Sequence, residues 1–293
     1  MSVELSSAGR LAFAREVRQR HWSHRVVRNR NLIIGAAMVG TIALVALFAP
    51  ILSAHDPIAH DYTRTLQSPS LSHPFGTDNF GRDVFTRVIY GGRIDLRVGI
   101  ISVIPPFVIG IVLGSLAGYY GGRIDSLIMR GVDLVQAFPF IVLIIAIVAV
   151  LGPGLNNMYI AVAIVAWVVY ARLIRGQILV EKQKEYVQAA RAIGSSDIRI
   201  LGRHLLPNCI IASIVFSMAD IALYIGLAAS LSYLGLGAKP PSPEWGAMIT
   251  DGQNFMVTAW WMSAIPGLAI VVTGIAFSLI GDGLSDVLRP ESR

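Results

Sequence analysis

Six side chains that could ligate a metal ion lie close together in the first third of the sequence. They are three histidines and three aspartates: His55, Asp56, His60, Asp61, His73 and Asp78. Imidazole and carboxylate groups are zinc ligands, but zinc sites combine them at characteristic spacings that this set does not match. The sequence therefore predicts no metal site. Asp78, Arg82 and Asp83 are expected to order their loop through local hydrogen bonds.

The usual catalytic patterns are missing from the sequence. It contains no HExxH motif, no GxSxG motif and no pair of aspartates within its apolar segments. It also lacks the GxxxxGK(S/T) phosphate loop, so the chain cannot hydrolyse ATP alone by that route. The single cysteine, Cys209, excludes an intrachain disulfide and is expected to be a small buried hydrophobe. We therefore expect neither an enzyme nor a cofactor bound by this chain.

Asp220 is the one charged residue deep within an apolar segment, which runs from 208 to 237. It lies about 12 residues into that segment, and at about 1.5 Å per helical residue this is near mid-depth in a bilayer. A charge there costs at least about 2.5–3.5 kcal/mol on insertion scales. Two alternatives remain open: the carboxylate faces a water-filled pathway, or it hydrogen-bonds to another helix.

The long polar insert in the second half of the chain is Glu185–Asn208, which reads EYVQAARAIGSSDIRILGRHLLPN. Helical spacing predicts a first helix over Glu181–Ile193. Its clustered apolar side chains are Tyr186, Val187, Ala190 and Ile193. Gly194 is predicted to end this helix, and a second helix follows over Ile198–Leu206. Pro207 is expected to turn the chain back to the membrane. The insert is thus a helix–turn–helix outside the bilayer, and its small residues, Ala189, Ala190 and Gly194, permit close approach by a partner.

Composition indicates that membrane helices position these residues. The 293 residues are 54% hydrophobic and 14% charged, whereas soluble domains carry about 25% charged residues. About 20 apolar residues cross the hydrocarbon core as a helix. The predicted fold is all-α and integral to the membrane, with six spans: Leu32–Ala54, Val98–Gly122, two arms of Leu134–Ala171, Asn208–Gly237 and Trp260–Ile280. The first span is interpreted as a retained helix rather than a signal peptide.

Turn and packing signals divide the chain further. Gly152-Pro153-Gly154 is expected to break the third apolar stretch into a hairpin, and Gly121–Arg130 is expected to be a short turn. Glycines spaced four apart at Gly110, Gly114 and Gly118 predict a face on which another helix packs closely. The resulting division is 1–31 as an N-terminal segment, 32–54 as the first span, 55–95 as an extracytoplasmic loop and 96–287 as the core, with a polar loop at 180–207.

Basic residues predict which side each loop faces. Of the 24 Lys and Arg residues, 18 lie before the first span, between the second and third spans, in the 172–203 stretch or at the C-terminus. Positive charge accumulates in cytoplasmic loops. Both termini and the polar loop are therefore predicted to be cytoplasmic, and the net charge of +6 is assigned to these loops rather than to nucleic-acid binding. Leu11–Arg30 forms either a basic amphipathic helix on the membrane surface or a loose tail.

The polar loop resembles the EAA loop of ABC-importer membrane subunits. That pattern is Glu-Ala-Ala, three residues, Gly, nine residues, Ile, any residue, Leu and Pro. The sequence has Gln188-Ala189-Ala190, then Gly194, then His204 and Leu206-Pro207 at the same spacing, with Gln188 and His204 as the two departures. We call residues 180–207 the EAA-like loop.

Two further stretches are similar to the C-type permease of dipeptide, oligopeptide and nickel importers. They are His73–Gly99, before the second span, and Leu231–Ile249, after the fifth. Ala228 stands where that family often has a glutamate. The resemblance covers nearly all of residues 25–290.

The resemblance implies a type I ABC-importer-like fold in a bacterial cytoplasmic membrane. It implies a heterodimer with a B-type permease, two ATPases that bind ATP and Mg, and an external substrate-binding protein. ATPase contact would fall to Glu185, Gln188, Ala189, Ala190, Arg191, Gly194, His204, Leu206 and Pro207. In the pathway alternative, Asp220 would contact the amino terminus of a peptide.

The implied function is import of dipeptides or oligopeptides by alternating access. The same machinery could instead import nickel chelates, glutathione or glycosides. A stand-alone carrier or channel is a more distant alternative, which a docking loop disfavours because such proteins have no motor subunit to bind.

Overall fold

A computed structural model describes residues 28–288 as α-helices joined by turns and one long loop. The α-helices are α1 Arg30–Leu47, α2 Ala49–Leu52, α3 Val84–Tyr120, α4 Gly122–Gln136, α5 Phe140–Leu151, α6 Leu155–Glu181, α7 Glu185–Ala192, α8 Asp197–Arg199, α9 Leu206–Tyr233, α10 Trp245–Gly252 and α11 Trp261–Leu288. A π-helical turn, Ile200–Leu205, joins α8 to α9, and 3₁₀ turns lie at Tyr62–Arg64 and Gln253–Phe255. Residues 1–27, where the basic amphipathic helix was considered, lie outside the described residues.

Within residues 28–288, five helical stretches are long and apolar enough to cross a membrane: α1, α3, α6, the continuous stretch Asp197–Tyr233, and α11. The pair α4 and α5 passes the same test together, across a bend of 84° that falls just before α5, at Pro139. The all-α membrane fold is therefore confirmed, with five spans, or six when the bent pair counts as one.

Helix α3 begins earlier than the sequence predicted. It starts at Val84 instead of Val98, so residues 84–95 are helical and were wrongly included in the 55–95 loop. Asp83 caps the helix, because its carboxylate accepts a hydrogen bond from the Thr86 N–H at 2.7 Å. Hydropathy missed this start because Arg87, Arg93, Asp95 and Arg97 interrupt the apolar pattern.

The predicted turn at Gly121–Arg130 is also helical, since α4 runs from Gly122 to Gln136. Arg175 of α6 anchors this helix through two hydrogen bonds to the Asp125 carboxylate, at 2.5 and 2.6 Å. The predicted break at 152–154 is confirmed, because α5 ends at Leu151 and α6 begins at Leu155. With 12 residues, α5 is about 18 Å long, too short to cross the hydrocarbon core alone.

Helices α3 and α6 pack against each other along the three glycines that were predicted to form a packing face. A Cβ atom on Gly110 would lie 2.6 Å from the Trp167 carbonyl oxygen, and one on Gly118 would lie 3.0 Å from the Arg175 carbonyl oxygen. At Gly114 the added atom would overlap the neighbouring helix even more closely. The missing side chains therefore allow the two backbones to approach.

Candidate functional site

The first helix within the EAA-like loop is α7, and a glycine turn ends it. The Ser195 N–H donates to the Ala190 carbonyl at 3.1 Å, and the Gly194 N–H donates to the Arg191 carbonyl at 2.9 Å. These two bonds form a Schellman motif, which places the residue after the helix in the left-handed region. Gly194 has a φ of +78°, so the predicted glycine stop is confirmed. The helix is shorter than predicted, because a turn at 182–184 separates it from α6.

The second helix of the loop does not end at Pro207. It runs without interruption from Asp197 to Tyr233 and enters the bundle as α9. Pro207 follows the π-helical turn Ile200–Leu205. Proline lacks an N–H, and its ring crowds the carbonyl four residues earlier, so a widened turn just before it lets the helix continue. The prediction that Pro207 turns the chain back was wrong, and the reversal occurs at Gly194.

One buried apolar cluster joins the EAA-like loop to the long helices. It contains side chains from α3, α6, α7, the π-helical turn and α9: Tyr119, Ile174, Ile178, Val187, Ala190, Ile200, Leu205 and Cys209. Cys209 is 2% exposed, which confirms its prediction as a small buried hydrophobe. Closely packed interiors resist relative movement of their parts. The loop is therefore a fixed extension of the bundle.

Polar contacts strengthen the same attachment. The Tyr119 hydroxyl, near the end of α3, donates to the Asp197 carboxylate at 2.6 Å. The Lys182 ammonium donates to the Gly118 carbonyl at 2.7 Å. The Arg191 guanidinium lies over the Tyr119 ring, 5.5 Å from its centroid, within the range of a cation–π interaction. Both arms of the loop are thus fastened to the end of α3.

The opposite face of the EAA-like loop is open. Of the residues that the resemblance assigns to ATPase contact, six are exposed: Glu185, Gln188, Ala189, Arg191, Gly194 and Pro207. His204 and Leu206 are half-buried. The small size of Ala190 had suggested close approach by a partner. Ala190 is instead buried in the cluster described above, where it packs against this chain.

Two exposed isoleucines flank the glycine turn. Ile193 and Ile198 are each 82% exposed. Ile193 was predicted to lie on the apolar face of the first helix. That prediction was wrong, because the helix ends at Ala192 and the chain changes direction there. Contiguous exposed apolar patches mark contact surfaces, and these two side chains flank the same turn of the EAA-like loop. The sequence signal for this exposure was the position of the two isoleucines on either side of the helix-ending Gly194.

Hydrogen bonds also hold exposed polar side chains of this loop in place. Gln188, which replaces the glutamate of the EAA pattern, donates from Nε2 to the Gln183 carbonyl at 3.0 Å. The Tyr186 hydroxyl donates to the Glu181 carboxylate at 2.8 Å. Partial burial and this hydrogen bond raise the pKa of Tyr186. Gln188 therefore supports the turn that precedes its own helix.

Asp220 lies inside the bundle and is 5% exposed. Its Oδ2 accepts a hydrogen bond from the Tyr170 hydroxyl of α6 at 2.6 Å and another from the Tyr224 hydroxyl at 3.3 Å. These contacts favour the second of the two alternatives, a hydrogen bond between helices.

Two family models match the sequence. The first, described as the inner membrane component of binding-protein-dependent transport systems, matches residues 110–293, which is more than half of the chain and includes the EAA-like loop. The second, the N-terminal TM domain of oligopeptide transport permease C, matches residues 18–69. The chain belongs to the binding-protein-dependent transport permease family.

Curated relatives of this permease agree with that assignment. It is 42% identical to the dipeptide transport system permease protein DppC of Alkalihalophilus pseudofirmus, over 91% of this chain and 88% of that protein. It is 43% identical to the probable D,D-dipeptide transport system permease protein DdpC of Escherichia coli, over 89% and 87%. It is 44% identical to the glutathione transport system permease protein GsiD of Pectobacterium atrosepticum, over 93% and 91%.

A solved structure resembles the permease in fold. It is a chain of the MetNI methionine ABC transporter, with a TM-score of 0.54, 21% sequence identity, and coverage of 71% of this chain and 97% of that one. The predicted type I ABC-importer-like fold is confirmed.

At the other end of α3, a polar network orders the 55–83 loop of the permease. Arg82 donates to the Asp78 carboxylate at 2.5 Å and to the Asp251 carboxylate of α10 at 3.1 Å. Arg87 is 2% exposed and donates to the Pro57 carbonyl at 2.9 Å. The expected local hydrogen bonds of Asp78 and Arg82 are confirmed. The connection to Asp251 was not predicted, because it joins residues far apart in the chain.

A buried carboxylate of the permease was also missed by sequence reasoning. Glu244 caps α10 and accepts a hydrogen bond from the Ser232 hydroxyl at 2.7 Å. The neighbouring Asp95 of α3 accepts from the Trp245 N–H at 3.1 Å. Together these carboxylates fix the start of α10 against α3 and α9. The sequence signal for this cap was the position of Glu244 directly before the apolar helical stretch that starts at Trp245.

Proposed function

We propose that this permease imports dipeptides or short oligopeptides, driven by ATPase subunits that dock on its EAA-like loop. The observation that carries the proposal is the two-sided construction of that loop. One face shares a buried core with α3, α6 and α9, while the other exposes Ile193, Ile198 and the polar residues of α7. A surface of this kind can receive force and transmit it to the bundle.

The mechanism follows from that rigidity. Closure of an ATPase dimer would move the loop, and because the loop is fastened to three long helices, these would move as one body. Such movement gives alternating access when the ATPases contact the loop differently in their two states. ATP and Mg would be bound by the ATPases, since this sequence has no phosphate loop.

The proposed assembly contains a B-type permease, two ATPases and an external substrate-binding protein in a bacterial cytoplasmic membrane. Family membership supports the substrate-binding protein, because the family is named for systems that depend on one. The B-type permease and the two ATPases rest on the EAA-like loop and on the resemblance to C-type permeases. The excess of Lys and Arg in the EAA-like loop and near the termini supports a cytoplasmic position for both.

The proposed cargo rests on relatives that are named for dipeptides, D,D-dipeptides and glutathione. Glutathione is the second candidate, because it is a short peptide and its permease is equally similar to this chain. Uptake of labelled dipeptide, with unlabelled glutathione as competitor, would distinguish the two in cells that express the complete transport system.

Co-purification tests the docking surface. The tagged permease would be isolated in detergent from cells that express the whole system, as the parent chain, as Ile198→Asp and as Val257→Asp. Val257 is the matched control, because it is an apolar residue 98% exposed next to α11, at the other end of the molecule. We expect Ile198→Asp to lose the ATPases but keep the second permease, and Val257→Asp to keep both.

Two results would contradict the proposal. If Ile198→Asp retained the ATPases in full, alone and when combined with Ile193→Asp, the surface formed by Ile193 and Ile198 would be excluded as the ATPase contact. If the parent chain purified alone and still conducted solute in liposomes, the result would support a stand-alone carrier or channel instead.

A further inference from the structure

Folding brings three metal-ligating side chains together where the 55–83 loop meets α3. One nitrogen from each of His55 and His73 and one carboxylate oxygen of Asp83 all lie within 4.8 Å of one another. No metal site was predicted from sequence, because the spacing of the six histidines and aspartates considered matches no ligand pattern. Asp83 was not among those six and was expected only to order the loop. The cluster is separate from the EAA-like loop and from Asp220, and the inference does not depend on the proposed function.

His73 is buried and has the carboxylate partner that metal-bound histidines commonly have. Its Nδ1 hydrogen-bonds to Asp83 Oδ1 at 2.9 Å, and its side chain is 4% exposed. Within residues 28–288, Nε2 is buried and has no hydrogen-bond partner. Metal-bound histidines usually pair their second ring nitrogen with a carboxylate, which fixes the tautomer and leaves the other nitrogen to bind the ion. The pairing with Asp83 therefore fixes the His73 ring and leaves Nε2 without a hydrogen-bond partner among the described residues.

His55 is held beside His73 through the same carboxylate. The His55 N–H donates to the Ser53 hydroxyl at 3.1 Å, and that hydroxyl hydrogen-bonds to the Thr86 hydroxyl. The Thr86 hydroxyl in turn donates to Asp83 Oδ2 at 2.6 Å. The imidazole of His55 is exposed and its centroid lies 5.1 Å from that of His73. The backbone of His55 is thus held by this chain of hydrogen bonds, while its side chain is exposed beside His73.

We propose that His55 and His73 bind a divalent transition-metal ion at this junction, with Asp83 as the positioning residue. Imidazole ligands suit zinc, copper and nickel, whereas calcium and magnesium prefer oxygen ligands. Zinc–nitrogen bonds of about 2.0–2.1 Å require the ligand atoms to approach one another. The exposed ring of His55 makes that approach, and water completes the coordination. The bound ion joins the segment after α2 to the start of α3.

Zinc binding to the full-length chain tests the proposal. The permease would be purified in lipid nanodiscs through a tag without histidine, stripped with a chelator, and titrated with Zn²⁺ against a chromophoric competitor. The variants are His55→Ala and, as a matched control, His60→Ala, an exposed histidine of the same loop that stacks on Tyr62 outside the cluster. We expect His55→Ala to weaken one equivalent of zinc binding by at least about tenfold, and His60→Ala to bind like the parent.

X-ray absorption of the zinc-loaded parent provides a second measurement that does not rely on the variants. Two imidazoles in the first coordination shell would support the site. Unchanged zinc affinity in His55→Ala, equal losses in His55→Ala and His60→Ala, or a spectrum without imidazole scattering would each overturn the proposal.

Discussion

Asp220 shows how a single charge can be accommodated deep in an apolar bundle. Two tyrosine hydroxyls donate to one of its oxygens, one from α6 and one from the next turn of α9. In this arrangement the carboxylate joins α6 to α9, and burying it is offset by charge-assisted hydrogen bonds. The packing of α6 against α9 therefore depends on the acceptor oxygen of residue 220 more than on its negative charge.

Substitutions of Asp220 separate the acceptor from the charge. Asp220→Asn keeps an acceptor for Tyr170, so we expect nearly parental stability and transport. Asp220→Ala leaves two buried hydroxyls without a partner, and we expect a loss of about 1–3 kcal/mol. Thermal unfolding in detergent, followed by tryptophan fluorescence, measures the difference. Loss of uptake by a stable Asp220→Asn would show instead that the charge faces the pathway.

At the scale of elements, close contact between α3 and α6 depends on glycine. A Cβ atom on Gly114 would overlap the Ala171 carbonyl oxygen and the Ile174 side chain. The EAA-like loop is fastened to the far ends of these same two helices. Their spacing therefore sets the position of the loop as well as the packing of the bundle.

The glycine contact gives a paired prediction. We expect Gly114→Ala to destabilise the permease by about 1–3 kcal/mol, as overpacking does in well-packed cores. Gly40→Ala is the control, because a Cβ there meets no atom of the described residues within 4 Å, and we expect it to be neutral or to stabilise by up to about 1 kcal/mol. Thermal unfolding of both variants measures this, and equal effects would contradict the packing argument.

The glycine turn of the EAA-like loop is a second element with a defined requirement. Gly194→Ala forces a side chain into the left-handed region, which costs about 1–2 kcal/mol. We expect faster amide hydrogen exchange over residues 190–196, by roughly 5- to 30-fold. Gly202→Ala is the control in the same loop, because a Cβ there has no neighbour within 4 Å in the described part of the chain. It should leave exchange over residues 190–196 unchanged. If amide exchange over residues 190–196 were as slow in Gly194→Ala as in the parent, the turn would tolerate a side chain and the prediction would be wrong.

At the scale of the whole molecule, α3 connects two ordered polar ends. Its 37 residues span about 55 Å, more than the hydrocarbon core of about 30 Å. The 55–83 loop and α10 are joined at its start through Arg82 and Asp251. The EAA-like loop is joined at its end through Tyr119 and Asp197.

The two ends should face opposite sides of the membrane, and cysteine labelling can measure this. Leu71 in the 55–83 loop and Ile198 in the EAA-like loop are both fully or largely exposed, at 106% and 82%, while the native Cys209 is buried. We expect a membrane-impermeant maleimide to label Leu71→Cys in intact spheroplasts and Ile198→Cys only after lysis. Labelling of Ile198→Cys before lysis would reverse the predicted orientation.

Much of the architecture could be predicted from sequence, because it depends on local properties. Apolar runs of sufficient length indicate membrane helices, and a Gly-Pro-Gly tripeptide breaks one whatever surrounds it. Gly194 ends its helix because few other residues adopt its φ, and the spacing of Gly110, Gly114 and Gly118 marks a packing face in any bundle. The EAA-like spacing was likewise readable without coordinates.

What only the tertiary structure decided are the features that depend on contacts between distant segments. Helix α3 extends back to Val84 although charged residues interrupt its apolar pattern, because distant segments pair with those side chains. Arg87 donates to the Pro57 carbonyl, and Asp95 accepts from the Trp245 N–H. Some partners are distant in the chain: Tyr170 for Asp220, Asp251 for Arg82 and Asp83 for His73, at separations that no periodic pattern encodes. Local sequence determines which helices form, whereas the free energy of pairing buried polar groups determines which residues meet.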